Sequence, residues 1–207
     1  KARDNVASKR CVGHNRFYIF HVGKHHFAVI FALHCRENAV ASALQGEMEA
    51  RHDPRRIRKL IVSMPPQHGK SVGASTLLPA YMLGLNPDLR IAVASYSASL
   101  ASKFNRRVQR IMDSSEYGEK YTKTRIKSLG RQSPYIRTSD EVEIIDHEGG
   151  LLSVGREGSL TGNRVDCFIL DDLYKDAMEA NSPIVRENCW EWYTSVVKTR
   201  MHNDSQE

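Results

Sequence analysis

The sequence predicts an α/β fold, with a mainly parallel central sheet flanked by helices and one β-hairpin attached. Three observations carry that expectation. The apolar run Leu60-Ile61-Val62 is followed by a loop, a stretch of helical spacing and a second apolar run from Ile91 to Ala94. That is the strand, helix, strand order of a βαβ unit, which implies parallel pairing. "EVEIIDHEGGLLSVG" reads as two short strands around an Asp-His-Glu-Gly-Gly turn. "VDCFIL" is a further apolar strand, and it ends in the acidic pair Asp171-Asp172.

Composition sets the frame. The chain has 207 residues, enough to bury one substantial core. With 41% hydrophobic and 26% charged residues it reads as an ordinary soluble globular protein. A formal charge of +6 favours a polyanionic partner. The four cysteines show no dense spacing, and Cys167 and Cys189 fall inside a strand and a helix, which fits a reducing compartment. No run approaches the roughly 18 apolar residues of a membrane span, so no membrane partner is expected. The start has no signal-peptide layout. The chain opens on Lys1 and stops at Glu207 directly after a helical pattern, so it reads as a piece of something longer.

Residues 1–50 read as an N-terminal extension with a lead-in helix, on which Val40, Leu44 and Met48 recur every four positions. Residues 51–207 read as the main domain. There a basic turn, "RHDPRRIRK", leads into a strand from Leu60 to Met64. The helix "KSVGASTLLPAYMLGL" contains a proline expected to kink it, and "NPD" closes it. A helix from Ala98 to Met112 carries Leu100, Phe104, Val108 and Ile111 on one face. Beside them Lys103, Arg106, Arg107 and Arg110 fall at i, i+3, i+4 and i+7, a basic stripe. Ser114 to Ser139 is polar and weakly periodic, and reads as a surface excursion. "GREGSLTGNR" is a glycine-rich loop. Ser182-Pro183 is an N-cap followed by a proline at the first helical position, after which Cys189, Trp192, Tyr193 and Val196 share a face.

The chemistry centres on "MPPQHGKS". A triphosphate needs converging backbone N–H donors, a cation for its outer phosphates and a hydroxyl for magnesium, which a P-loop (Walker A) supplies after a strand and before a helix. Gly69, Lys70 and Ser71 hold the last three positions of that loop in that context. Met64 stands where the first glycine is usual, and Pro65-Pro66 can fix the bend instead. Pro65, Pro66, Gln67, His68, Gly69, Lys70 and Ser71 are therefore the expected ATP-binding residues, with His68 holding the shape of the loop.

A magnesium site of this kind also takes an acidic residue from the end of a buried neighbouring strand. "CFILDD" is such a strand and constitutes a Walker B pattern. Asp171 is expected to hold Mg2+ together with Ser71, and Asp172 to polarise the attacking water. The chain as a whole then reads as a P-loop NTPase of the ASCE type that uses ATP and Mg2+.

"LIVSMPPQHGKS", "NPDLRIAVASYSASLASKFNRRVQ", "GSLTGNRVDCFILDDLYKD" and "WEWYTSVVKTRM" together resemble the ATPase half of the large terminase subunit of tailed bacteriophages and prophages. The resemblance covers residues 57–201. It implies a ring of subunits that hydrolyse ATP to drive double-stranded DNA into a procapsid, in the cytoplasm of the bacterial host. The terminase small subunit and the capsid portal are the implied partners. A nuclease domain, which would make the complete protein an endonuclease, is expected to lie outside this chain.

Two departures from the family pattern matter. Gln67 stands where the family loop often carries arginine; the candidates to replace that charge, and so to act in catalysis beside Lys70 and Asp172, are Arg156 and Arg164. Leu173 replaces a frequent proline and is expected only to loosen the turn.

The basic stripe offers a face for DNA or for a neighbouring subunit, or else a solvated helix surface. Other readings stay open: a helicase-like P-loop ATPase, or a non-catalytic DNA-binding or assembly module whose nucleotide site has decayed. A small-molecule kinase fits the double acid less well. Cys11, His14, His21 and His25 are spaced too closely for a zinc finger.

Overall fold

The computed structural model describes residues 7–10, 16–22, 25–31, 59–63, 67–127, 134–160 and 162–201. The chain divides into two compact units, Lys1–Gly73 and Ala74–Glu207.

The first unit holds a four-stranded sheet in the order β1 (Ala7–Arg10), β2 (Arg16–Val22), β3 (His25–Phe31) and β4 (Lys59–Ser63). The β1/β2 and β2/β3 pairs are antiparallel, while β3 and β4 are parallel with Val29 opposite Ile61. "RFYIFHV" and "HHFAVIF", unassigned from sequence, form the central pair, as their aromatic and β-branched content favours. The strand expected from Leu60 to Met64 runs over Lys59–Ser63, but its parallel partner is β3 and the Ile91–Ala94 run belongs to a different sheet, so the βαβ pairing expected between those two runs is not formed. The helix expected around Val40, Leu44 and Met48, together with Cys11, His14, Met64, Pro65 and Pro66, lies outside the described residues.

A helix, α1, spans the boundary between the units as Lys70–Val72, a π-helical turn Gly73–Leu77, and Leu78–Leu85. Pro79 accounts for the wide turn. Its ring nitrogen cannot donate to the carbonyl four residues back, and the ring crowds that carbonyl, so the helix loosens just ahead of it. The expected kink is thus realised as a π turn. Asn86, in an extended conformation, ends the helix.

The second unit is a mixed α/β body whose sheet runs in the order β6 (Glu141–Glu143), β7 (Gly150–Gly155), β5 (Arg90–Ser95), β8 (Cys167–Leu170). β7, β5 and β8 are parallel, and β6 joins as the antiparallel arm of the expected hairpin, Val142 opposite Leu151. β5 is buried from Ile91 to Ser95, as a central parallel strand covered on both faces must be.

The helix α2 (Ala98–Met112) packs on β5, β6 and β7. Ser97 caps it by accepting from the Leu100 N–H at 3.3 Å. Ala101, Phe104, Val108 and Met112 are buried on its inner face. Leu100 and Ile111, expected there too, are only half-buried.

On the opposite face of the sheet Ala94, Val154, Leu160, Trp192 and Val197 form a buried cluster. Full burial of side chains of this kind is worth about 1.5–3 kcal/mol each for the larger ones. The helix α5 supplies Trp192 and Val197: it runs Pro183–Trp192, passes through a π turn at Tyr193–Val197 and ends at Lys198–Arg200. Thr194 and Ser195 hydroxyls donate to the carbonyls of Trp190 and Glu191, competing with the helix's own N–H groups. The wider turn moves full burial to Val197 and leaves Val196 half-buried.

The segment expected to be a surface excursion contains a helix, α3 (Ser115–Lys120), and two buried anchors. The Tyr117 hydroxyl donates to the Ala80 carbonyl at 2.7 Å, and the Thr124 hydroxyl to that of Leu83 at 3.0 Å. Burial pushes the Tyr117 phenol far above its ordinary value, consistent with a permanent donor. Single anchors such as these leave no periodic signal. Among the described residues no helix is long and apolar enough to cross a membrane.

Candidate functional site

The Gly-Lys-Ser segment begins α1 through a left-handed loop. Gln67 and Gly69 have φ of 64° and 81°, and Gly69 is the residue before the first helical turn. Glycine adopts this conformation without strain, whereas glutamine there must be held by its surroundings. Among the described residues no side chain caps the helix start, and its first turn carries no acid but does carry Lys70. A Cβ at Gly69 would meet no described residue within 4 Å. An open helix start with a lysine suits an anion, and these features fit the phosphate part of a nucleotide. Gln67, His68 and Gly69 are exposed; Lys70 and Ser71 are half-buried.

In the second unit the carboxyl ends of β5, β7 and β8 lie level, Ser95 opposite Gly155 and Ala94 opposite Leu170. Open parallel sheets place their sites at this end. A Cβ on Gly155 would come within 2.7 Å of the Ala98 nitrogen, so only glycine lets α2 begin so close to β7. Asp171 continues β8 by donating its N–H to the Ala94 carbonyl at 2.9 Å. It is only 4% exposed, and the buried Ser75 hydroxyl donates to its Oδ2 at 2.7 Å. Asp172 takes a left-handed φ of 49°, which brings its side chain out to solvent. Its carbonyl accepts the Tyr96 N–H at 2.9 Å. One carboxylate is therefore sequestered, and its neighbour is exposed. A buried carboxylate with a hydroxyl donor fits a hard cation such as magnesium, whose ligands are oxygens.

The two candidate arginines occupy different places. Arg156 follows Gly155 and donates from Nη1 to the Leu173 carbonyl at 3.0 Å and to Glu179 Oε2 at 2.9 Å. Arg164 is exposed and lines a groove of about 210 Å³ with Arg90, Glu148 and Gly150, where β5 and β7 begin. That is the end of the sheet opposite Asp171.

Lys103, Arg106, Arg107 and Arg110 are all exposed on the outer face of α2, and none forms an ion pair with a described residue. Asn105 and Gln109, on the inner side, tie α2 to the segment before β6 by donating to the carbonyls of Asp140 and Thr138.

Sequence reasoning missed Ser75 and Glu179. Ser75 follows Ser71 by four residues along the helix, so its spacing was a usable signal. Glu179 belongs to α4 (Ala177–Asn181), too short to announce itself by periodicity.

The family model described as terminase large subunit, T4-like virus type, N-terminal, matches residues 61–204. The chain belongs to that family. No curated protein matches it. Membership in this terminase family implies a part in phage DNA packaging, and the matched span takes in the end of β4, the Gly-Lys-Ser helix, the whole of the second unit's sheet and α5.

Proposed function

We propose that this terminase domain is the ATP-hydrolysing part of a DNA-packaging motor, built as a P-loop NTPase of the ASCE type. The supporting observation is the division of labour between the two acids at the end of β8: Asp171 buried and bonded to Ser75, Asp172 turned outward. In this reading Pro65 to Ser71 hold ATP, with Lys70 on its outer phosphates, and Ser71 and Asp171 hold Mg2+. The ion, when bound, supplies charge compensation to the phosphates. Asp172 accepts a hydrogen bond from the water that attacks the outermost phosphate and orients it in line. Phosphoryl transfer asks little more of a protein than such positioning and charge neutralisation. Of the two candidate arginines, Arg164 lies at the opposite end of the sheet and has no part in this reading, while Arg156 lies beside the acidic pair, bonded to the Leu173 carbonyl.

Lys103, Arg106, Arg107 and Arg110 are proposed to meet double-stranded DNA or a neighbouring subunit of a homo-oligomeric ring. Partners of the working motor would be the small subunit and the capsid portal, in the cytoplasm of the bacterial host, with the nuclease activity in a separate domain.

ATP turnover of the chain and of Asp172→Asn tests the reading. Expected is a weak basal rate that rises with duplex DNA or portal, and a loss of about 10²–10⁴-fold in the variant with ATP binding kept. Equal rates for both proteins would favour an assembly module without hydrolysis.

A further inference from the structure

We infer that Arg156 is a positioning residue: paired with Glu179, it clamps the loop after the acidic pair and so fixes where Asp172 stands. The inference rests on the hydrolysis reading above and deepens it.

Arg156 is anchored at both ends. Its backbone N–H donates to the Ser95 carbonyl at 2.7 Å, at the carboxyl end of β5. Its side chain is 14% exposed, and its guanidinium carbon lies 5.9 Å from the centre of the Tyr174 ring. The same Nη1 reaches the carbonyl of Leu173, the residue directly after Asp172, and the carboxylate of Glu179. Glu179 in turn accepts the Lys175 N–H at 3.1 Å on the oxygen that faces Arg156. The Asp176 side chain closes the arrangement by accepting the Glu179 N–H at 2.9 Å. Residues 173 and 175 are thus tied to one guanidinium–carboxylate pair, and Asp176 holds the backbone of its acidic member.

Such a pair matters because Asp172 is left-handed without being glycine. That conformation persists only where neighbours over-determine it. The Tyr96 N–H holds the Asp172 carbonyl from the β5 side, and the Arg156–Glu179 pair holds the following peptide from the other. The Lys175 N–H, followed by Arg156, also draws the Glu179 carboxyl below its ordinary value, so the pair stays ionised around neutral pH. A guanidinium committed to a carbonyl and a carboxylate in this way acts on Asp172 through the loop.

The test compares Arg156→Gln, Glu179→Gln and the double variant in the same chain. It reads ATP turnover, the affinity for a fluorescent ATP analogue, and amide exchange of Tyr96, whose N–H reports on the Asp172 carbonyl. Each single variant is expected to lose turnover by about tenfold to a hundredfold, the scale of a misplaced catalytic group, with nucleotide affinity nearly unchanged. The double variant should be no slower than the worse single one. Tyr96 exchange should speed up by about tenfold in all three. Arg156→Lys, with a point charge for a fork, should not restore the rate. A Glu179→Gln variant as fast as the parent, beside a slow Arg156→Gln, would show that Arg156 meets the nucleotide itself and overturn the inference. Unchanged Tyr96 exchange would overturn it as well. A parent chain that turns over no ATP defeats the hydrolysis reading instead, and Tyr96 exchange then decides the clamp alone.

Discussion

The Ser75 hydroxyl stands 2.7 Å from Oδ2 of Asp171, a buried donor on a buried carboxylate ninety-six residues further along the chain. This bond ties the π-helical turn of α1 to the end of β8. The wide turn sits four residues ahead of a proline, so backbone chemistry and site geometry meet in one place.

Ser75→Ala removes that donor. Hydrogen bonds to charged groups contribute about 1.5–3 kcal/mol, so urea unfolding should show a loss of that order. If Asp171 holds magnesium, an unoriented carboxylate should also raise the Mg2+ concentration that half-saturates ATP turnover by about 10- to 100-fold. A variant that loses stability while keeping the parent's magnesium dependence would make Ser75 a packing residue only.

Much of the second unit was legible because its signals are periodic or punctuated. The Ile91–Ala94 run, the alternating faces of α2 and the hairpin turn follow from patterning. The Ser182-Pro183 start of α5 follows from capping chemistry, and the Ser182 hydroxyl does accept the Val185 N–H. What escaped is non-local. Tyr117 and Thr124 are anchored by carbonyls some forty residues back, which no local window contains. Arg156 stood out as a cation near a glycine-rich loop, but its partner, Glu179, comes from a five-residue helix. Trp192 was placed on a buried face by spacing, yet its indole N–H donating to the Gly158 carbonyl at 3.1 Å is a tertiary fact. The resemblance on the quoted motifs, by contrast, was carried by contiguous words of sequence, and the family match covers nearly the same span.

Gly84 gives a sharper test of packing. A Cβ there would lie 2.7 Å from Cγ of Tyr121, at the rigid root of its ring. The ring cannot retreat freely, since it packs at a tilt against Tyr117 with centroids 4.8 Å apart, and Tyr117 is itself bonded to Ala80. Alanine ordinarily stabilises a helix interior by about 1 kcal/mol over glycine. Here overpacking should win, and Gly84→Ala should destabilise by about 1–3 kcal/mol in chemical denaturation. Adding Tyr121→Ala should relieve much of that clash, and a simple gain in stability for the single variant would refute the packing argument.

The basic stripe makes the last prediction, and it separates DNA from a neighbouring subunit. Lys103, Arg106, Arg107 and Arg110 span eight residues of α2, about 10 Å along the helix axis at its usual rise. All four are exposed and none is in an ion pair with a described residue, so replacing them by glutamine should change fold stability by no more than about 0.5 kcal/mol. A DNA face would read out through counterion release. Every phosphate that a variant no longer neutralises should flatten the slope of log affinity against log salt by about 0.9, without regard to base sequence. A fourfold variant should therefore lose most of its salt dependence together with its affinity for a short duplex, measured by fluorescence anisotropy at several salt concentrations. A stripe that meets a neighbouring subunit would leave that slope untouched and change the sedimentation of the assembled chain instead. Unchanged behaviour in both measurements would return the stripe to a solvated helix face.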